Sequence, residues 1–246
     1  AGWVPIDFWV DTRRTLDQIK PVFMLAEAEG NELYKAFEMT YGWELHHIMN
    51  DIAQGKKDAS AVHEFFSKPA LPNNGFQMNF TSNHDENSWN GTEMERLGPA
   101  IETFAVFAAT IDGMPLVYNG QETSLDRRLK FFEKDPINWE KMDKVDFYQT
   151  LLNLHQNHPA LSVAKGQTRP RFISKATDKD HLVYVRERDG RQVLVVLNLS
   201  AQPKTIAFND AATAGKFTDL FTKQALSFKP AHTIKLGPWG YAVYVL

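Results

Sequence analysis

Two places in the chain gather side chains able to do proton-transfer and hydrogen-bonding chemistry. One is Asn83-His84-Asp85-Glu86-Asn87, an imidazole with two carboxyl groups and two amides, placed just behind the alternating segment Phe76 to Phe80. The other is Glu27-Ala28-Glu29, behind the apolar run Val22-Phe23-Met24-Leu25-Ala26. Two carboxyl groups, one giving a proton and one kept as an anion, are the equipment for acid–base work at a C–O bond. The plain reading is different: Asn, Ser, Asp and Glu are ordinary turn residues, and either stretch could be a solvated loop after a strand.

Such groups must be carried to a common place, and the surrounding pattern supplies carriers. Val22 to Ala26 reads as a short, fully buried parallel strand that hands Glu27 and Glu29 to a loop. Lys35 to Tyr41 and Gln77 to Thr81 read as further strands, and Leu116 to Tyr118 as a fourth. Between them lie helical stretches from Val4 to Lys20, from Trp43 to about Phe66 with a break near Gly55, from Pro99 to Ile111, where Gly113 supplies a left-handed cap, and from Asp146 to His158. Strand followed by helix, four times over, predicts a parallel sheet, whose C-terminal edge is where polar ligands meet side chains. After about Lys165 the pattern changes. His181 to Glu187, Val193 to Leu199, Thr205 to Phe208 and Tyr241 to Leu246 are strand-like runs separated by Asp189-Gly190, Gln202-Pro203 and Gly237-Pro238, which predicts a small antiparallel β domain. The expected division is therefore 1–164 and 165–246.

Composition narrows the partners. The chain has 246 residues, 43% of them hydrophobic and 23% charged, which is enough for a sizeable core. A formal charge of -3 gives no electrostatic footprint for nucleic acid or an anionic membrane, so neutral partners fit better. The longest apolar run, near Phe104 to Ile111, is too short to cross a bilayer. With no cysteine there is no disulfide or thiolate metal site, the eight histidines lack ligand spacing, and His46-His47 reads as helix surface.

The stretch Phe80-Thr-Ser-Asn-His-Asp-Glu-Asn87 resembles the motif at the end of the seventh barrel strand in the α-amylase family of glycoside hydrolases. Gly113-Met-Pro-Leu-Val-Tyr-Asn-Gly-Gln-Glu122 resembles that family's eighth strand and following loop, and Ala1-Gly-Trp-Val-Pro-Ile-Asp-Phe-Trp9 resembles the residues after its fourth strand. The resemblance implies an α/β fold: the second half of a (β/α)8 TIM barrel, strands five to eight at Val22–Ala26, Ala36–Thr40, Gln77–Thr81 and Pro115–Tyr118, followed by an all-β antiparallel sandwich. It implies a retaining hydrolase of α-glucans such as starch and maltooligosaccharides, with Glu27 as general acid/base and Asp85 as the carboxylate that stabilises the oxocarbenium-like state. Glu29 is the register alternative to Glu27, two residues on and on the same strand face.

Substrate contacts are expected from His84 and Asn83, the latter also holding the loop, and from Tyr41, Trp43 and Trp89 as stacking rings. Tyr118, Gln121 and Glu122 look structural. The nucleophilic aspartate of the family stands ahead of the matched residues, and Asp7 and Asp11 read as part of a helix, so negligible turnover is expected of the chain by itself. No cofactor is expected; the family's calcium site draws mainly on segments not matched here. Half a barrel has open strand edges, which predicts self-association or a longer polypeptide.

Overall fold

The computed structural model describes residues 1–163, 166 and 168–246. The expected boundary between residues 164 and 165 lies outside the described residues. Four short strands, β1 (Leu25–Ala26), β2 (Met39–Tyr41), β3 (Phe76–Phe80) and β4 (Met114–Leu116), form one parallel sheet in chain order. Register is explicit: Ala26 pairs with Thr40, Tyr41 with Met78, and Phe80 with Leu116. Helices connect the strands, α1 (Ile6–Ile19) before β1, α2 (Trp43–Ala53) and α3 (Ser60–Ser67) after β2, α4 (Glu93–Leu97) and α5 (Ile101–Thr110) after β3, and α6 (Val145–Asn157) after β4.

β1 departs from expectation. It is two residues long, and Phe23 and Leu25 are exposed, so the run is an outer strand and not a fully buried one. Among the described residues only β2 pairs with it, and Met24 donates its N–H to the Glu38 carboxylate at 2.8 Å. A polar side chain thus replaces a strand partner. Within Lys35 to Tyr41 the strand starts only at Met39, because Asn31–Lys35 forms a 3-10 turn that buries Leu33 and Tyr34. Gly113 does not cap α5, whose cap residue is extended Ile111. Its φ of 114° and the Gln77 carbonyl, which a Cβ there would meet at 2.4 Å, place the glycine requirement at the entry to β4 instead.

The rest of the chain is antiparallel. A six-stranded sheet runs in the order β10 (Ala225–Phe228), β9 (Gly215–Asp219), β12 (Tyr241–Val245), β7 (Arg191–Asn198), β6 (His181–Arg188), β5 (Arg171–Phe172), and β8 (Lys204–Asn209) pairs with β11 (Ala231–Leu236). Alternation places Val183, Val185, Leu194 and Val196 toward Ile206, Phe208 and Ile234 of the two-stranded sheet. Their neighbours Leu182, Tyr184, Val193 and Val195 join Phe104, Phe107 and Leu151 of α5 and α6. The central strands β6 and β7 are therefore buried on both faces, which is why they read as almost unbroken apolar runs. No described helix is long and apolar enough to cross a membrane.

Candidate active site

Parallel strands end at the same edge of a sheet, and β1, β2 and β3 lie side by side. The residue after β1 is Glu27, the last residue of β2 is Tyr41, and His84 and Asp85 follow β3 after three residues. Topology alone therefore brings them together. His84 Nε2 lies 3.1 Å from Glu27 Oε1 and 3.8 Å from Asp85 Oδ1, and one ligand-type atom of each of the three residues lies within 4.8 Å of the others. All three side chains are about half exposed, so a solute can reach them. Tyr41 is buried, packed edge-on to Phe80, and burial, then the charges of Glu27 and Asp85, push its hydroxyl above the usual tyrosine range.

The other expected residues divide. Asn83 is buried and its Oδ1 accepts the Glu86 N–H at 2.8 Å, so it shapes the loop rather than facing solvent. Trp89 is 55% exposed and meets Phe131 at 5.2 Å between centroids; Phe131 in turn lies 5.9 Å from the His84 ring and 4.8 Å from Phe132. Trp43 packs against Tyr41 and Phe80, within the wall of the site. Glu29 turns away: its carboxylate accepts the Glu44 N–H at 2.9 Å, at the positive end of α2, and a hydrogen bond from Gln77. Gln121 is buried and bonds to Thr81 and Tyr148, while Glu122 accepts from the Gly120 N–H.

Beneath the trio is a buried polar frame that reading the sequence missed. His46 is not helix surface. It is buried, with Nδ1 3.1 Å from the Phe80 carbonyl and Nε2 2.9 Å from Glu86 Oε2, its ring stacked on Phe80. Arg96 of α4 donates to the carbonyls of Thr81 and Gly91 at 3.0 and 2.9 Å, to Ser82 Oγ at 3.2 Å and to Asn50 Oδ1 at 3.0 Å. Burial would raise the Glu86 carboxyl, but His46, then Asn90 and Arg96, hold it down to about 2. Glu86 to Asn90 form a π turn closed by Gly91 at φ 126°, a geometry that widens the helix beside the site. The available signal was weak: His46 is separated from Glu86 by 40 positions, and only the tertiary fold pairs them.

Comparison with known proteins follows the same lines. Residues 171–243 match the family model described as the maltogenic amylase C-terminal domain. Alpha-amylase 2 of Dictyoglomus thermophilum is 27% identical over 220 residues, covering 82% of this chain and 35% of that protein. Alpha-amylase MalA of Haloarcula japonica is 30% identical over 172 residues, 68% of this chain and 24% of that protein. By these matches the chain is similar to the C-terminal region of α-amylase-family glycoside hydrolases. It spans about a third or less of the two relatives' lengths. The crystal structure of a maltogenic α-amylase from Thermotoga neapolitana superposes with a TM-score of 0.85 at 22% identity, covering all of this chain and 59% of that one. An amylase-like fold thus surrounds the Glu27, His84 and Asp85 edge.

Proposed function

We propose that this chain supplies the acid/base half of a retaining glycoside hydrolase of α-glucans. Residues 1–164 would be the second half of a (β/α)8 barrel with β1 to β4 as its fifth to eighth strands, and 165–246 a β-sandwich cap. The observation that carries the reading is the convergence of Glu27, His84 and Asp85 at one edge of a parallel sheet, half open to solvent. Glu27 protonates the glycosidic oxygen of the leaving sugar and later, as a carboxylate, takes a proton from the incoming water. His84 donates to a sugar hydroxyl or to Glu27, and Asp85 accepts from ring hydroxyls and offsets the positive charge that grows at the anomeric carbon. Trp89, Phe131 and Phe132 extend from His84 as rings on which further glucosyl units stack.

The attacking carboxylate is proposed to lie in a preceding segment of a longer protein. Asp11 pairs with Arg14 at 2.8 Å on the exposed side of α1, and Asp7 is exposed. One geometric fact favours a second role for Asp85: oxygens of Glu27 and Asp85 lie within 4.8 Å, near the separation of about 5 Å typical of an acid and nucleophile pair in retaining enzymes. Reducing-sugar release from maltoheptaose separates these readings. A version extended through the first half of the barrel should be active, its Glu27→Gln form nearly dead, and the 246-residue chain silent. Turnover by the chain alone, with a fluoroglucoside trapped on Asp85, would make Asp85 the nucleophile; an inactive extended protein would overturn the hydrolase reading.

A further inference from the structure

A cavity of about 380 Å³ lies where α4, α5 and α6 meet the turn before β12, and it shares no residue with the Glu27, His84 and Asp85 trio. Its walls are aromatic: Trp239, Tyr241, Phe147 and Tyr148. Hydrogen-bonding groups sit among them, with Glu93 and Gln121 at the floor and Lys144 bonded to Glu102 at the rim. Tyr241 donates to Glu102 at 2.7 Å, which fixes that ring.

Trp239 is held in a costly conformation. Its φ of 50° is left-handed, a region a bulky residue seldom adopts without a surrounding structure that forces it. The turn Gly237-Pro238-Trp239-Gly240 is pinned on both sides: the Trp239 N–H donates to the Ser200 carbonyl at 2.9 Å, and its carbonyl accepts from Thr103 of α5. The turn thereby holds Trp239, whose ring also packs near Phe104 at 6.3 Å, in the lining of a pocket that nothing in the proposed chemistry uses.

The ligand class follows from the lining. Flat apolar walls with scattered donors and acceptors suit a ring whose faces are C–H and whose edges are hydroxyl. Glu102 is neutralised by Lys144, so no cation is left over to hold an anion. The other two carboxyl groups of the lining are also engaged, Glu93 by Gln121 at 2.7 Å and Asp126 by the Thr92 hydroxyl at 2.6 Å, and burial pushes Glu93 upward, so none is left as a bare ligand for a cation.

We propose that this cavity is a second carbohydrate site, which takes a glucosyl ring of maltose or of an α-glucan against Trp239 and Tyr241. The choice of sugar rests on the α-glucan reading above; the existence of the site does not. It also touches the first site mechanically, because Gln121 Nε2 bonds both Glu93 Oε1 at 2.7 Å and Thr81 Oγ1 at 3.0 Å, and Thr81 begins the loop that carries His84 and Asp85.

The test is maltose titration of the 246-residue chain, followed through the six tryptophan indole N–H resonances, with Trp239 assigned by its loss in Trp239→Gly, a replacement that tolerates the positive φ. Maltose should shift the Trp239 resonance, the shift should persist in Glu27→Gln, and Trp239→Gly should weaken binding at this site about tenfold, while Tyr241→Phe retains it within a few-fold. Shifts at Trp89 or Trp43 with none at Trp239 overturn the second site and leave the active-site reading standing. A shift at Trp239 alone supports the second site and counts against sugar binding at the first. No shift anywhere overturns both, and cyclohexanol moving Trp239 as strongly as maltose overturns the assignment to a sugar.

Discussion

The strand ends of the parallel sheet and the interior of the antiparallel sheets bury different kinds of matter. Around β3 the buried side chains include His46, Asn50, Thr81, Ser82, Asn83, Glu86 and Arg96, tied to one another and to loop carbonyls. Between the antiparallel sheets they are Val, Leu, Ile and Phe with Ala242 and Tyr244. Apolar contacts are non-directional and cheap to satisfy, so they stabilise without fixing any one loop. A buried ion pair gives little net stability but holds a loop in one place, since every lost partner leaves a desolvated charge. The lesson is a division of labour: one region holds the molecule together, and the other holds His84 and Asp85 still.

Substitutions can break that division. The largest expected effect is chemical: Glu27→Gln in the extended, active protein should lower hydrolysis by about 10²–10⁴-fold with an unchanged thermal midpoint. Next is Arg96→Ala, which removes one partner of a buried network and should cost about 3–5 kcal/mol in urea unfolding, together with sugar binding at the first site. Leu194→Ala, fully buried between the sheets, should cost a similar ~2–5 kcal/mol yet leave the affinity of the folded protein for maltoheptaose unchanged. Equal losses of binding in these two variants would erase the distinction.

Acid sharpens it further. The Glu86 carboxyl titrates lower folded than unfolded, so its contribution is complete above about 4.5 and is lost as pH falls toward about 2. The stability gap between the wild type and Glu86→Gln, measured by urea unfolding, should therefore narrow between about pH 5 and about pH 3; a constant gap would remove the charge from the account. The smallest effect belongs to the surface: Phe132, 85% exposed, should on conversion to Ala weaken maltoheptaose binding only a few-fold and maltose binding hardly at all, by calorimetry. Light scattering bears on the open sheet edge, where Phe8, Phe23 and Leu25 are exposed: a concentration-dependent dimer is the expected outcome.

Much of this organisation was legible in the sequence, and the failures have physical causes. Long, strongly patterned elements such as Ile6–Ile19, Val145–Asn157 and the pair His181–Arg188 with Arg191–Asn198 stand close to where periodicity put them. Strands Gly215–Asp219, Ala225–Phe228 and Ala231–Leu236 escaped notice, because they have only one to three apolar residues each and the burial that stabilises them comes from the facing sheet. At the site, motif and strand order indicated which residues meet. What could not be read was the frame, since His46 against Glu86 and Arg96 against Thr81 are pairings made by the fold alone.

Helix α1 contains no buried residue, and β1 after it contributes two residues to the sheet. Amide hydrogen exchange should accordingly be fast along α1, through small local openings, and slowest in β7, whose amides are released only by global unfolding. Glu27 thus follows a two-residue strand, while Asp85 follows the five-residue strand β3 and precedes Glu86, which is tied to buried His46. The gap between the two carboxyl groups behaves as a caliper with one fixed jaw, and whatever stiffens α1 sets its reading without touching the site.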